Sequence, residues 1–196
     1  MIDLIKSTIL DNYPNCITTV KNISYDSEND FALCNSEFIS INYEKLIKDI
    51  LKAEHTVPDM LHFHKNKLIF VEFKNAYIHR ANDKMRLKLK GIEGNYIGLY
   101  NLMKKYDYNF KFTDIFDLDI YYIIVMSKDK IRNSENNNSR LSPGVQYINN
   151  YLNKVKEEMK LKYYEGTFFS KVEIVTDEVF MKNYISRLNE LDIKKS

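Results

Sequence analysis

The chain has 196 residues, of which 44% are hydrophobic. That is enough to bury a core without disulfides or a structural metal, and too much for a disordered chain. A net charge of only +2 excludes a protein whose overall charge alone marks it for nucleic acid, so local clusters carry that question.

The N-terminal stretch MIDLIKSTILDNY reads as a short helix over residues 2–13. Asp3 and Lys6 interrupt its apolar run, so it has no signal-peptide core. Residues 17–40 hold the β-branched pieces ITTV and FISI around the polar stretch SYDSEND, which predicts strands about a turn. Tyr43, Leu46, Ile47, Ile50 and Leu51 then recur at helical spacing. That helix must end before Pro58, because the residue before a proline avoids helical angles. A hairpin follows at 59–74 and a longer helix at about 83–105, with Met85, Leu89, Ile92, Tyr96, Leu99 and Met103 as its apolar repeat. IYYIIVM at 120–126 reads as a buried strand, and it is too short to span a bilayer. Residues 127–144 read as a polar, Asn-rich loop, 145–162 as a helix, 171–176 as a strand and 177–190 as a last helix. Three prolines and five glycines are too few for an all-β chain. The two cysteines, Cys16 and Cys34, form no CxxC pair and read as reduced thiols. The expectation is one α/β domain with a mixed sheet flanked by helices, in a cytoplasmic protein.

The hairpin VPDMLHFHKNKLIFVEFKN places Asp59, Glu72 and Lys74 in an apolar setting. With Lys65-Asn66 as a two-residue loop, His64 faces Lys67 and, counting outward, Asp59 faces Glu72. Opposed residues on antiparallel strands have Cβ atoms roughly 4.5–5.5 Å apart on one face. Lys74 shares that face by alternation. Ile69, Val71 and Phe73 line the other face, so the strand is apolar on both sides and its acids are poorly solvated. Two facing carboxylates repel, and buried like charges need a cation. Hard oxygen ligands suit Mg²⁺ or Mn²⁺. The competing reading is a surface hairpin with an incidental salt bridge.

Pro58-Asp59, twelve residues, then Glu72-Phe73-Lys74 resembles the signature of the PD-(D/E)XK nuclease superfamily, over about residues 41–126. The resemblance implies a restriction-endonuclease-like core: a helix, a three-stranded meander carrying the acids, a second helix and a further strand. It implies Asp59 and Glu72 as metal ligands and Lys74 as the catalytic lysine. Family members often add an acid from the preceding helix. Glu54 is in phase with the apolar face of that helix, and Glu44 is the alternative nearer its edge. His62 and His64 alternate away from Asp59 and read as sheet-surface residues, while His55 lies nearer the acids.

Lys84, Arg86, Lys88 and Lys90 follow at the start of the next helix. Basic charge there opposes the helix dipole, and phosphate contacts supply a reason for it. In the resembling fold this helix often contributes a second basic residue to the site, and Lys88 is the candidate. Gly91, Gly94 and Gly98 share one face and predict a smooth outer seam, open to a nucleic-acid backbone or a partner helix; a kinked or broken helix is the other reading.

These readings predict a metal-dependent nuclease acting on phosphodiester bonds, of DNA before RNA. Asp59, Glu72 and Lys74 are expected to be catalytic, and Mg²⁺ or Mn²⁺ the cofactor, held by Asp59, Glu72 and Glu54. The domain would span 1–196, with its core at about 41–126 and a helix–strand–helix extension at 145–190. Duplex cleavage by one small domain would call for a homodimer. The alternative is a nuclease-fold module that binds nucleic acid or a protein without cutting.

Overall fold

The computed structural model describes residues 1–52, 56–106, 109–136 and 145–188. Helix α1 (Ile2–Asn12) buries Ile5, Thr8 and Ile9. Strand β1 (Ile17–Thr19) stops where the Thr19 side chain accepts from the Asn22 amide and caps the single turn of α2 (Val20–Ile23). A small hairpin, β2 (Tyr25–Asp26) and β3 (Phe31–Ala32), leads to β4 (Ile39–Asn42). Asn42 caps α3 (Tyr43–Leu51) by accepting from the Lys45 amide, and Lys52 ends that helix in the left-handed region.

The central hairpin is β5 (Met60–His64) and β6 (Lys67–Lys74). Its loop is Lys65-Asn66, with Lys65 at φ 53°. His64 pairs with Lys67 and Met60 with Val71. The next helical stretch runs through α4 (Ala81–Glu93), a π-helical segment Gly94–Gly98, and α5 (Leu99–Lys105). Strand β7 (Asp119–Met126) follows, then α6 (Lys128–Asn136), α7 (Val145–Glu158), β8 (Lys171–Thr176) and the short α8 (Asp177–Phe180), continued by a π-helical turn to Ile185.

Six strands form one mixed sheet in the order β1-β4-β5-β6-β7-β8. Pairs from β1 to β6 are antiparallel, while β7 runs parallel to both β6 and β8. The helix between β6 and β7 is the crossover that a parallel pair requires. On one face, residues from α1, α3, α5 and α7 cover Leu61, Phe63, Leu68 and Phe70. On the other, Val20, Leu33 and Phe180 cover Met60, Ile69, Val71 and Val125. The fold is therefore α/β, with helices on both faces of a mixed sheet. Among the described residues no helix is long and apolar enough to cross a membrane.

Four local expectations fail. Residues 128–136 are helical although the stretch reads as a loop; Ile131, fully buried, is the one apolar anchor that α6 supplies to the core. His62 is not a sheet-surface residue: it is fully buried, with Phe38 at 4.9 Å and Ser40 Oγ 3.3 Å from Nδ1. Met85 and Leu89 are exposed rather than part of the buried helix face. The glycine seam is not an outer one: Gly91, Gly94 and Gly98 are buried. A Cβ at Gly91 would lie 2.5 Å from the Tyr122 ring, and those at Gly94 and Gly98 would strike Pro58 and Tyr43. The Tyr43 hydroxyl donates to the Gly94 carbonyl at 2.7 Å. The seam brings this helix onto the sheet and α3, and no surface is left there for a nucleic-acid backbone.

Candidate active site

Asp59 sits one residue before β5. Its carbonyl accepts from the Tyr43 amide at 2.9 Å, which ties it to the start of α3. The antiparallel register, continued by one pair beyond Met60–Val71, sets Asp59 beside Glu72. Asp59 Oδ2 accepts from the Phe73 amide at 2.7 Å, so its side chain is fixed across the strand gap. Glu72 lies near the C-terminal end of β6 with its side chain only 5% exposed.

Lys90 reaches these acids from α4. Its ammonium lies 2.7 and 2.8 Å from the two Glu72 oxygens and 3.2 Å from Asp59 Oδ1. It bridges both carboxylates as a cation would. Burial, then the charge of Asp59, push the Glu72 carboxyl well above the ordinary carboxylate range, against the pull of Lys90 and Lys74. Burial works to lower the Lys90 ammonium, but the charges of Asp59 and Glu72 outweigh it and raise it. The chain therefore keeps a charged lysine where two acids need one.

Lys74 shares a cleft of about 200 Å³ with Asp59, Glu72, Asp83, Arg86 and Lys90. No side-chain hydrogen bond or ion pair holds Lys74 among the described residues, whereas its main-chain carbonyl accepts from the Ser127 amide at 3.2 Å. Just beyond it, Asn75 donates to Asp26 at 3.1 Å and anchors the strand end to the β2–β3 hairpin.

The structure thus brings Asp59, Glu72 and Lys74 to one cleft. It puts Lys90 and Arg86 there with them, and not Lys88, whose ammonium lies 4.8 Å over the Tyr164 ring. Lys84 pairs with Glu158. Glu44 is exposed and lies outside the cleft. Glu54 and His55 lie outside the described residues. Sequence reasoning missed Lys90 as the bridging residue. The signal was its neighbour Gly91: once the glycine face is read as inward, Lys90 sits at its edge.

As a metal site the donors are two carboxylates. Among the described residues no group of three His, Cys, Asp or Glu side chains could hold a metal ion. Two carboxylates still match the way Mg²⁺ is commonly held, with waters and substrate phosphate completing the shell. Compared with known proteins, the chain matches no family model, no curated protein and no solved structure.

Proposed function

We propose that the protein is a divalent-metal-dependent nuclease of the PD-(D/E)XK type, with its site at Asp59, Glu72 and Lys74. The observation that carries this reading is the pair of carboxylates opposed across β5 and β6, poorly solvated and already gathered around a cation. A protein gains nothing in stability from such a pair, since two buried acids and an amine are costly to desolvate. Their use is in binding a cation and a phosphate.

Asp59 and Glu72 would hold Mg²⁺ or Mn²⁺, which supplies an activated water and neutralises charge on the phosphate. Lys74 opens onto the same cleft and would hold a phosphate oxygen or orient the attacking water. Arg86, on the rim from α4, would take a neighbouring phosphate. Lys90 keeps the two acids together when no metal is bound. Support for a restriction-endonuclease-like core comes from the antiparallel β4–β5–β6 run, the α4 crossover and the parallel β7. One departure stands against it: α3 falls between β4 and β5 in the chain, not before the three strands.

A second reading is a nuclease-fold module that binds without cutting. It is favoured by Lys90, which already neutralises the acids that a metal would need. The decisive experiment incubates labelled single-stranded DNA, duplex DNA and RNA with Mg²⁺, Mn²⁺ or a chelator. Cleavage is expected with metal only, to be abolished by Glu72→Gln and by Lys74→Ala. Binding of nucleic acid without cleavage under any metal would establish the second reading. Full activity in both variants would place the chemistry elsewhere.

A further inference from the structure

On the other side of α4 lies a second cleft, of about 330 Å³, between the segment 75–80 and α7. Its wall is a ladder of stacked rings. Tyr77 lies parallel to Tyr151 at 4.7 Å and 21°, and to His79 at 6.0 Å and 19°. The ladder is braced from below, because the Tyr151 hydroxyl donates to the Ile78 carbonyl and accepts from the Ile78 amide, both at 2.9 Å. Its upper end, His79, is exposed. Lys84 donates to the His79 carbonyl at 3.3 Å, and Lys154 borders the same cleft with its side chain 72% exposed. An adjoining cleft of about 470 Å³ adds Lys88 and Lys160. Among the described residues Glu158 is the one acid lining either cleft; Lys84 pairs with it, and Lys154 lies 3.9 Å from its other oxygen.

Four lysines around one paired acid leave the two clefts with an excess of positive charge that the chain's net +2 conceals. Rings stacked in parallel beside lysine ammonium groups match an unpaired base and its phosphates. An acidic peptide would satisfy the lysines but leave the ladder unexplained, and a duplex keeps the faces of its bases within its own stack. The position also suits a substrate. Residues 75–80 link Lys74 directly to α4, and α4 turns Lys84 to both clefts and Lys88 to the adjoining one, but Arg86 and Lys90 to the acids.

We propose that this cleft and the one adjoining it form a subsite for unpaired nucleotides, with a base stacking onto the Tyr77–His79 ladder and flanking phosphates held by Lys84, Lys88 and Lys154. The proposal rests on the nuclease reading for its purpose, but it is tested without cleavage. A fluorescent oligothymidylate and a duplex of equal length are titrated with the full chain in chelator, and anisotropy is read. The wild type is expected to prefer the single strand. His79→Ala should weaken single-strand binding about tenfold and leave duplex binding unchanged, while His79→Phe, which keeps a stacking ring, should hold near the wild-type value. Lys154→Ala should lower the salt dependence of single-strand binding by about 0.7 in the slope of log K against log salt. His79 and Lys154 are surface residues, so unchanged circular dichroism will accompany both. A wild type that prefers duplex or binds neither, or a His79→Ala variant that binds like the wild type, overturns the subsite. If these binding results hold and no metal supports cleavage, the subsite stands and the nuclease reading fails. Cleavage with unaltered binding in His79→Ala is the reverse.

Discussion

Lys90 decides how the two acids are tolerated. Read from the sequence, Asp59 and Glu72 repel and a metal relieves them; in the folded chain an ammonium already does so. A metal therefore has to compete with Lys90, and metal is expected to stabilise the wild type less than facing acids alone would imply. Lys90→Met isolates the effect. Removing one partner from a buried charge cluster costs about 3 kcal/mol, which lowers the melting temperature of a chain this size by roughly 6–12 °C. With the proposed metal site, millimolar Mn²⁺ should restore most of that loss, since a ligand that binds only the folded state stabilises it. Acid should restore it too. The folded Glu72 carboxyl is raised above its ordinary 4.5, so between that value and the folded one the native state holds a proton that the unfolded chain has released. Stability of the variant should fall as pH climbs through that window. Thermal melts across pH, with and without Mn²⁺, check both outcomes. A variant that melts like the wild type in chelator would mean that Lys90 does not compensate the acids.

At the level of elements, the glycine face of α4 sets how far Lys90 can reach. Gly91→Ala inserts a methyl group against the Tyr122 ring. The expected cost is about 1–3 kcal/mol of overpacking, and Lys90 should withdraw from Glu72 as the helix lifts. Denaturant unfolding reads the cost; a neutral change would show that the Tyr122 ring, which is braced by its hydroxyl on the Leu87 carbonyl at 2.8 Å, can swing aside. The sequence made the hairpin legible because alternation and the Lys65-Asn66 loop leave a single register, and with it the pairing of Asp59 and Glu72. It did not make the helix face legible. Met85, Leu89 and Ile92 form an apolar repeat, whereas Gly91 and Gly98 carry no side chain for a hydropathy pattern to weigh, although their lack of one is what places them inside. The same blindness chose Lys88 over Lys90, since the two lie about 160° apart around the helix and only the buried face tells them apart. Helix α6 escaped for the opposite reason, having a single buried apolar residue in a polar run.

Across the whole molecule, the C-terminal third cannot be an optional extension. Strand β8 pairs with β7 along six residues, and Ile148, Leu152, Val155, Phe169 and Val172 join the main core cluster. A chain ending at Lys160 would leave β7 with an unpaired edge, and β7 is almost wholly buried. Such edges template aggregation. The truncated chain is expected in the insoluble fraction, or as large species by size exclusion. A soluble monomer with the wild-type circular dichroism spectrum would show that residues 1–160 fold independently.

The π-helical segment Gly94–Gly98 also limits how this chain can change length. A wide turn holds one residue more than an ordinary one. Deleting a single residue there would tighten it to regular helix and leave the residues beyond it facing as before. Leu99, Leu102 and Met103, all fully buried, would keep their places in the core and Lys90 its place beside the acids, whereas a deletion within the regular turns of α4 or α5 would rotate everything beyond it by about 100°. Substitutions on the outer side of this helix, such as at exposed Ile97, are free of that constraint. The distance along the chain from Lys90 to Leu99 is therefore expected to be inherited either as it stands or one residue shorter, even where the residues between them drift.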